Sequence, residues 1–244
     1  ASSINVIIGH NSESVKKSIQ NNLVKWVLQK NQLGTGHAVM QAIPSIKKDS
    51  MCLILYGDVP LIQTQTLINL LEKANKTGFS LLTVIQNDPS GYGRIIRDSS
   101  KSIQSIIEHK DANTEELEID EINTGIMAIT GALLTKYLNQ LEPNNSQGEL
   151  YLTDIVEKAV KDNVNIASFI CENSTEVMGI NDKNNLAEAE RAYQLKIADE
   201  LMSDGLTIKD PSRFDCRGNL IFGNDCIIDV NVVFEGEVKL GKNV

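Results

Sequence analysis

The sequence predicts an α/β fold, a mixed sheet with helices on both faces, followed by the start of a left-handed hexapeptide β-helix. Three observations predict it. The first 200 residues alternate short apolar runs with amphipathic segments, the rhythm of strands and helices taken in turn. From Arg94 that rhythm gives way to a hairpin pattern, Arg94–Arg97 and Ile103–Glu108. After Gly218 two apolar columns recur every six residues, the signature of a hexapeptide β-helix.

The elements follow in order. Ile4–Ile8 (INVII) is strand-like, and Ser12 can cap a helix through about Gln20. Trp26–Leu28 is a short strand, and Gly36–Ile46 is helical until Pro44 stops or kinks it. Met51–Tyr56 (MCLILY) is by composition a fully buried strand. Thr64 caps a helix through about Asn75, ended by Gly78, and Ser80–Ile85 is the next strand. So far the alternation argues for a mostly parallel sheet. After the hairpin come a strand, Asn123–Ile129, and two helices, Gly131–Leu141 and Leu152–Lys161, the second capped near Thr153. Ile166–Ile170 and Glu176–Gly179 read as short strands. Asn184–Met202 is a long helix with an apolar stripe of Leu186, Ala189, Tyr193, Ile197 and Leu201. Residues 1–205 therefore form one domain, 206–218 a linker, and 219–244 the beginning of the β-helix. The columns of that last part are Leu220, Cys226, Val232, Val238 and Phe222, Ile228, Phe234, Leu240. One coil takes about 18 residues, so fewer than two coils are present.

Composition narrows the function classes. A net charge of −9 argues against non-specific nucleic-acid binding, which needs a basic footprint. It leaves anionic small substrates open, because metal ions can supply positive charge. No apolar run approaches the roughly 20 residues of a membrane span. Four cysteines without a C-x-x-C pair and three histidines argue against zinc. Cys52 and Cys226 read as buried thiols of a reduced, cytosolic protein. Ala1 is not a methionine, and Ile4–Ile8 is already a strand. The chain is expected to begin, and to end, inside a fold.

Several stretches carry candidate chemistry, each with a plain structural alternative. NQLGTGHAVM (Asn31–Met40) puts two glycines around Thr35, either to admit a ligand or as a loop before a helix. LILYGDVPLI (Leu53–Ile62) ends a strand in Tyr56, Gly57 and Asp58, where open α/β sheets bind ligands. Asp58 suits Mg²⁺ or simply begins the turn before Pro60. PSGYGRI (Pro89–Ile95) exposes backbone amides or makes a tight turn. IIEHKDA (Ile106–Ala112) offers Glu108 to sugar hydroxyls or is a solvated charge run. EINTGI (Glu121–Ile126) offers the Asn123 amide as donor and acceptor, or turn chemistry. VMGINDKNNL (Val177–Leu186) offers Asn181 as a second metal oxygen or as a helix cap. His37 reads as structural, without a chemical role.

Taken together and in order, WVLQ, QLGTGHA, LYGDVPL, GYGRI, IEHKDA, INTGI and GIND resemble one family. It is the bifunctional bacterial N-acetylglucosamine-1-phosphate uridyltransferase / glucosamine-1-phosphate acetyltransferase family, GlmU. The match covers essentially the whole chain, and DPSRFDCRGNL with the period-six columns is similar to that family's passage into its acetyltransferase β-helix. The resemblance implies a Rossmann-like, GT-A-like nucleotidyltransferase sheet. It implies that Gln29 reads the uracil edge and that Gly34 and Thr35 lie against uracil and sugar. Tyr56, Gly57 and Asp58 would line the phosphates, Gly93, Glu108 and Asn123 would hold N-acetylglucosamine, and Asp58 with Asn181 would bind Mg²⁺ and be the catalytic pair. The implied reaction joins UTP and N-acetylglucosamine 1-phosphate into UDP-N-acetylglucosamine and pyrophosphate, in the cytoplasm, toward cell-wall precursors.

The sequence departs from the family at both ends. Nothing before Ile4 matches the family's G-x-G-T-x-M loop and following P-K pair, and the later β-helix coils, with the acetyl-CoA site and trimer contacts, have no counterpart. The chain is therefore expected to be weakly active or inactive alone, and not a trimer. Two other readings stay open: a pyrophosphorylase for another sugar 1-phosphate, and a non-catalytic module that binds nucleotide sugars.

Overall fold

The computed structural model describes residues 1–9, 12–19 and 21–244. The chain divides into two compact units, Ala1–Gly57 with Ile62–Ser174, and Asp58–Leu61 with Thr175–Val244.

The first unit opens with β1 (Ile4–Ile8), α1 (Ser12–Ser18) and β2 (Val24–Leu28), and β1 and β2 pair in parallel. Ser12, expected as its cap, is the first helical residue of α1, which ends at Ser18; Ile19 is not helical, and Gln20 lies outside the described residues. α2 (Thr35–Met40) stops short, and Ile43–Ser45 forms a single 3-10 turn at Pro44, whose ring cannot continue an α-helix.

A six-stranded sheet follows. β3 (Met51–Ile54), β4 (Phe79–Ile85), β5 (Arg94–Arg97), β6 (Ile103–Ile107), β7 (Glu121–Thr130) and β8 (Ala167–Cys171) compose it, with order β6-β5-β7-β4-β8 and β3 also on β7. β3 and β4 both run antiparallel to β7, while β4 and β8 are parallel. β3, β4 and β8 thus share one direction, and β7 enters among them reversed. The sheet is mixed, and most of its ladders are antiparallel. The helix-connected strands still point one way; the hairpin brings β7 back against them.

Packing explains the centre. All of β4 except Ile85 is buried, as is most of β7. α3 (Thr64–Thr77) lies against β4 and β8, burying Thr66, Leu70 and Ala74 at four-residue steps. Thr64, expected as its cap, is its first helical residue, and the preceding Gln63 makes no side-chain cap bond; at the other end Gly78 takes φ 83° and its backbone amide donates to Ala74 O at 2.7 Å. Ser80 is fully buried, and its hydroxyl donates to Leu70 O at 2.8 Å. α4 (Thr114–Leu117), not expected from the sequence, is a single turn held by a capping box between Asn113 and Glu116. α5 (Gly131–Leu138) and α6 (Asp154–Lys161) close this unit, α6 against β6.

Glu176–Gly179, expected as a strand, begins instead in a 3-10 turn at Ser174–Val177, with Glu176 and Val177 buried. α7 (Lys183–Ser203) follows. Its buried residues are Ala189, Gln194 and Ala198, whereas Leu186 and Tyr193 of the expected stripe are half exposed. Gln194 is buried because its side-chain oxygen accepts the Cys216 amide at 2.7 Å. Arg191 adds bonds to Ser212 O and Phe214 O, both 2.9 Å, and to Asp215.

Residues 206–218, expected as a linker, hold β9 (Thr207–Ile208) and the start of β10 (Phe214–Ile221), and bury Leu206, Ile208, Phe214 and Cys216. β11 (Ile227–Ile228) pairs with β9, and β12 (Val232–Lys239) with β10, both in parallel. Every β10 residue faces the residue 18 positions on, from Phe214↔Val232 to Ile221↔Lys239. That offset is three hexapeptides, the coil expected from the columns. Leu220, Cys226 and Ile228 are buried, and Phe222, Val232, Phe234, Val238 and Leu240 pack on them. Asp225, Asn231 and Asn243 sit at positive φ near 60°, each one place before a column position or its six-residue continuation. These are corners, and Asn and Asp tolerate that conformation better than other side chains.

Candidate active site

In the first unit, Gln29 continues β2, its amide bonded to Ile8 O at 2.8 Å. Its side-chain nitrogen donates to Gly34 O at 3.2 Å and lies 3.0 Å from His37 Nδ1. His37 in turn lies 3.2 Å from Gln41 Nε2. The amide nitrogen of Gln29 is therefore committed, and its oxygen is the acceptor left over. An open depression beside it is lined by Gly9, Leu28, Lys30, Asn31 and Leu33. His37, given no role from the sequence, holds Gln29; a histidine eight residues from a glutamine gives no sequence signal of that contact.

Gly34 and Gly36 have a structural reason beyond ligand approach. Gly34 has φ 106°, and a Cβ there would lie 2.6 Å from Leu150 O and 2.9 Å from Leu150 N. A Cβ on Gly36 would lie 2.9 Å from the same carbonyl. The segment before α6 passes this close because Leu150 N bonds Leu33 O and Gly36 N bonds Leu150 O, both at 2.8 Å. Thr35 joins in, its hydroxyl oxygen accepting Leu152 N at 3.0 Å.

The residues expected around the sugar come together. Asn123 N bonds Gly93 O at 2.8 Å, and a Cβ on Gly93 would meet the Glu108 carboxylate at 3.4 Å. Asn123 Oδ1 accepts Gly125 N at 3.1 Å, so its NH₂ remains to donate. Gly125, at φ 79°, lies under the Tyr56 ring: a Cβ there would meet Tyr56 Cε2 at 2.5 Å. The GYGR turn is tied from inside by Arg94, 1% exposed, whose guanidinium donates to Pro89 O at 2.6 Å, to Tyr92 O, and to Leu117 O at 3.4 Å.

Glu108 is the most chemically distinctive member. Burial pushes its carboxyl above the usual range and the Asp111 charge adds to that, while the Thr153 hydroxyl, donating at 2.9 Å, pulls it back. Thr153 was expected as a helix cap; it makes no side-chain cap bond and serves Glu108 instead. Next to it, Asp154 is pushed up to about 6, chiefly by burial, with Lys158 opposing and Glu108, Glu157 and Asp111 adding to the rise.

In the second unit, Asp58 and Asn181 are brought together. Asp58 O accepts Ile180 N at 2.8 Å, which places Asn181 one residue beyond that bond. Both side chains are exposed. The cap of α7 is Asp182, accepting Asn184 N and Asn185 N at 2.8 Å each, so Asn181 is spared that task. The pair presents one carboxylate and one amide, hard oxygen donors that fit Mg²⁺. Among the described residues, no group of three or more His, Cys, Asp or Glu could hold a metal. A two-oxygen site completed by substrate phosphates remains consistent with that.

Residues 2–177 match the family model described as nucleotidyl transferase. The chain belongs to the nucleotidyl transferase family. Two curated relatives of this nucleotidyl transferase are bifunctional GlmU proteins. That of Ruthia magnifica subsp. Calyptogena magnifica is 51% identical over 98% of the chain and 53% of its own length. That of Saccharophagus degradans is 48% identical over 100% and 54%. The chain spans about half the length of the curated relatives it matches. The fold is also that of a UDP-glucose pyrophosphorylase solved with UDP-glucose, with TM-score 0.62, 16% identity, and 79% and 80% of the two chains covered. It is shared too by a putative glucose-1-phosphate thymidylyltransferase from Bacillus anthracis, with TM-score 0.60, 20% identity, and 77% and 74% covered. No helix among the described residues is long and apolar enough to cross a membrane.

Proposed function

We propose that this nucleotidyl transferase carries the uridyl-transfer chemistry of the GlmU family. A phosphate oxygen of N-acetylglucosamine 1-phosphate attacks the α-phosphorus of UTP, the α–β P–O bond breaks, and pyrophosphate leaves. The nucleophile is already an anion, so no general base is needed. The observation that carries the reading is the convergence of Gly93, Glu108 and Asn123 with Thr153 behind them, in a chain about 50% identical to GlmU proteins.

Each residue then has a task. The Gln29 oxygen accepts the uracil N3–H, a donor that cytosine lacks, while Gly34 and Thr35 form the floor beneath base and ribose. Glu108 accepts sugar hydroxyls, and the Asn123 NH₂ donates to a sugar oxygen. Tyr56 and Gly57 line the phosphates. Asp58 and Asn181 would hold Mg²⁺. Bound there, the ion supplies charge neutralisation to the phosphates. The protein's remaining contribution is alignment of two polyanions, which lowers the barrier by pre-setting their geometry. Four unpaired cysteines fit a reducing, cytosolic setting. For the longer protein, the period-six unit supports an acetyl-transferring, trimer-forming β-helix.

The test is calorimetric titration with UDP-N-acetylglucosamine, UDP-glucose and UDP, alongside pyrophosphate release from UTP and N-acetylglucosamine 1-phosphate with and without Mg²⁺. Preference for the N-acetyl sugar, and Mg²⁺-dependent release in this chain or in its full-length form, is the expected result. Equal affinity for UDP-glucose moves the assignment to another sugar phosphate. Binding without turnover in a folded full-length protein moves it to a binding module.

A further inference from the structure

The two halves of the proposed substrate site are not independent loops. The segment from Asn145 to Thr153 is bonded to both. On the nucleotide side it makes the backbone pairs Leu150 N to Leu33 O and Gly36 N to Leu150 O, and Leu152 N donates to the Thr35 hydroxyl oxygen. On the sugar side it makes three further bonds. Ser146 N donates to Asp111 Oδ1 at 3.0 Å, Lys110 Nζ donates to Gln147 Oε1 at 2.8 Å, and the Thr153 hydroxyl donates to Glu108 Oε1 at 2.9 Å. The segment is stiffened internally. The Asn145 side chain donates to Glu149 O at 2.6 Å and accepts Gln147 N and Glu149 N at 3.2 Å, and Gln147 Nε2 donates to the Tyr151 hydroxyl at 2.6 Å. Tyr151, Leu152 and Thr153 are all buried, so the strap is anchored at the end where it meets Glu108.

We propose that residues 145–153 are a rigid strap that couples the nucleotide loop to the sugar-side turn, with Thr153 as the positioning residue for Glu108. The inference rests on the functional reading above. Its physical basis is that six bonds join the strap to the two half-sites, three on each side, while the half-sites lie about 75 residues apart in sequence, from Gly34 to Glu108. A displacement of the nucleotide loop that keeps the Leu150 bonds must either bend the strap or carry Thr153 with it. Coupling free energies of this kind are typically worth about 5- to 150-fold in affinity. The Thr153 hydroxyl fixes which carboxylate oxygen of Glu108 is occupied and which remains for the sugar.

The experiment compares Thr153→Val, Thr153→Ser and Thr35→Val by calorimetric titration with UDP-N-acetylglucosamine and with UDP. Thr153→Val should weaken UDP-N-acetylglucosamine binding about tenfold, the size of one lost hydrogen bond to a charged group, and change UDP binding less than about twofold. Thr153→Ser, which keeps the hydroxyl, should restore the sugar increment. Thr35→Val should reduce the ratio of UDP-N-acetylglucosamine to UDP affinity, although Thr35 lies on the nucleotide side. Equal losses for both ligands in Thr153→Val, or no rescue by serine, overturn the positioning role. If the wild-type chain binds neither ligand, the functional reading fails, and hydrogen exchange on the ligand-free protein still decides the strap. Thr35→Val should then speed amide exchange at Leu152 and also at Ser146. Acceleration confined to Leu150–Leu152 overturns the coupling.

Discussion

Gly34→Ala separates two reasons for a glycine. One is room for a ligand; the other is room for the protein's own strap. With φ 106° and ψ 174°, Gly34 occupies a region essentially reserved for glycine, which costs a side-chain residue about 1–3 kcal/mol. The added methyl would also sit 2.6 Å from Leu150 O and 2.9 Å from Leu150 N, so that backbone must retreat. The two backbone bonds made by Leu150 are then lost or stretched, at roughly 0.5–1.5 kcal/mol each. The sum is about 2–6 kcal/mol, a large share of the 5–15 kcal/mol typical of a domain. With a urea slope of about 2 kcal/mol per molar, the midpoint should fall by at least about 1 M. Equilibrium urea unfolding followed by circular dichroism reads this directly. Gly57→Ala is the control, because no heavy atom lies within 4 Å of its would-be Cβ. It should leave the midpoint unchanged. If Gly34→Ala moved the midpoint by less than about 0.3 M while UDP-N-acetylglucosamine affinity fell tenfold, the strap explanation would be wrong and the ligand explanation right.

The other predictions are shorter. In the full-length form, Asp58→Asn should abolish Mg²⁺-dependent pyrophosphate release while leaving Mg²⁺-free UDP binding intact; activity with unaltered Mg²⁺ dependence removes Asp58 from the metal site. Asp182→Ala removes the α7 cap and should cost about 0.5–2 kcal/mol in urea unfolding, with loss of helical signal. Arg94→Met removes the guanidinium donor to Pro89 O, Tyr92 O and Leu117 O, of which Pro89 O keeps the Tyr92 amide, and should destabilise by about 1–3 kcal/mol and weaken sugar binding more than UDP binding. Asp154 has a carboxyl raised to about 6 against 3.8. A raised acid contributes stability when protonated, in full below about pH 4, and loses it as pH rises through 6. Asp154→Asn should therefore stabilise the fold at pH 8 by on the order of 1 kcal/mol after allowance for solvent, read as a higher melting temperature, and leave stability unchanged at pH 4.

Periodicity made the elements legible, and pairing was less so. The six-residue columns predicted a coil of about 18 residues, and β10 and β12 pair at that offset, although β10 begins within the expected linker. The direction of β7 was hidden. A strand's composition reports how deeply it is buried, not which way it runs, and both faces of β7 are covered. The stripe on α7 holds at Ala189, which is buried, and at Ile197 and Leu201, which pack on the core, and fails at Leu186 and Tyr193, where hydropathy ranks Tyr193 above the buried Gln194. The helix packs beside a strand with an amide to satisfy at Cys216, and only a polar side chain can do that. At the candidate site, the residues named from motifs fall into the expected groups, Gly93 with Glu108 and Asn123, and Asp58 with Asn181. The residues that orient them were invisible: His37, Arg94 and Thr153 act across 8, 5 and 45 positions, through contacts that no local pattern encodes.

In the proposed metal site, the GIND stretch would let one helix start serve two purposes. A cap needs an acceptor aimed back at its own helix, and a metal ligand needs one aimed away. One side chain cannot do both. Here Asp182 spends its carboxylate on the Asn184 and Asn185 amides, where its charge also suits the positive end of α7. Asn181, one place earlier, stays neutral and outside the helix. The charge that Asp58 and Asn181 present together is then −1 rather than −2. A dicarboxylate would cancel the charge of a divalent ion, whereas this pair leaves half of it for phosphates that carry several negative charges of their own. In a chain with net charge −9, that arithmetic favours an amide at Asn181. Asn181→Asp should accordingly bind Mg²⁺ more tightly in the absence of nucleotide and the Mg²⁺–UTP complex more weakly. A titration showing both affinities raised together would remove charge balance as the reason for the asparagine.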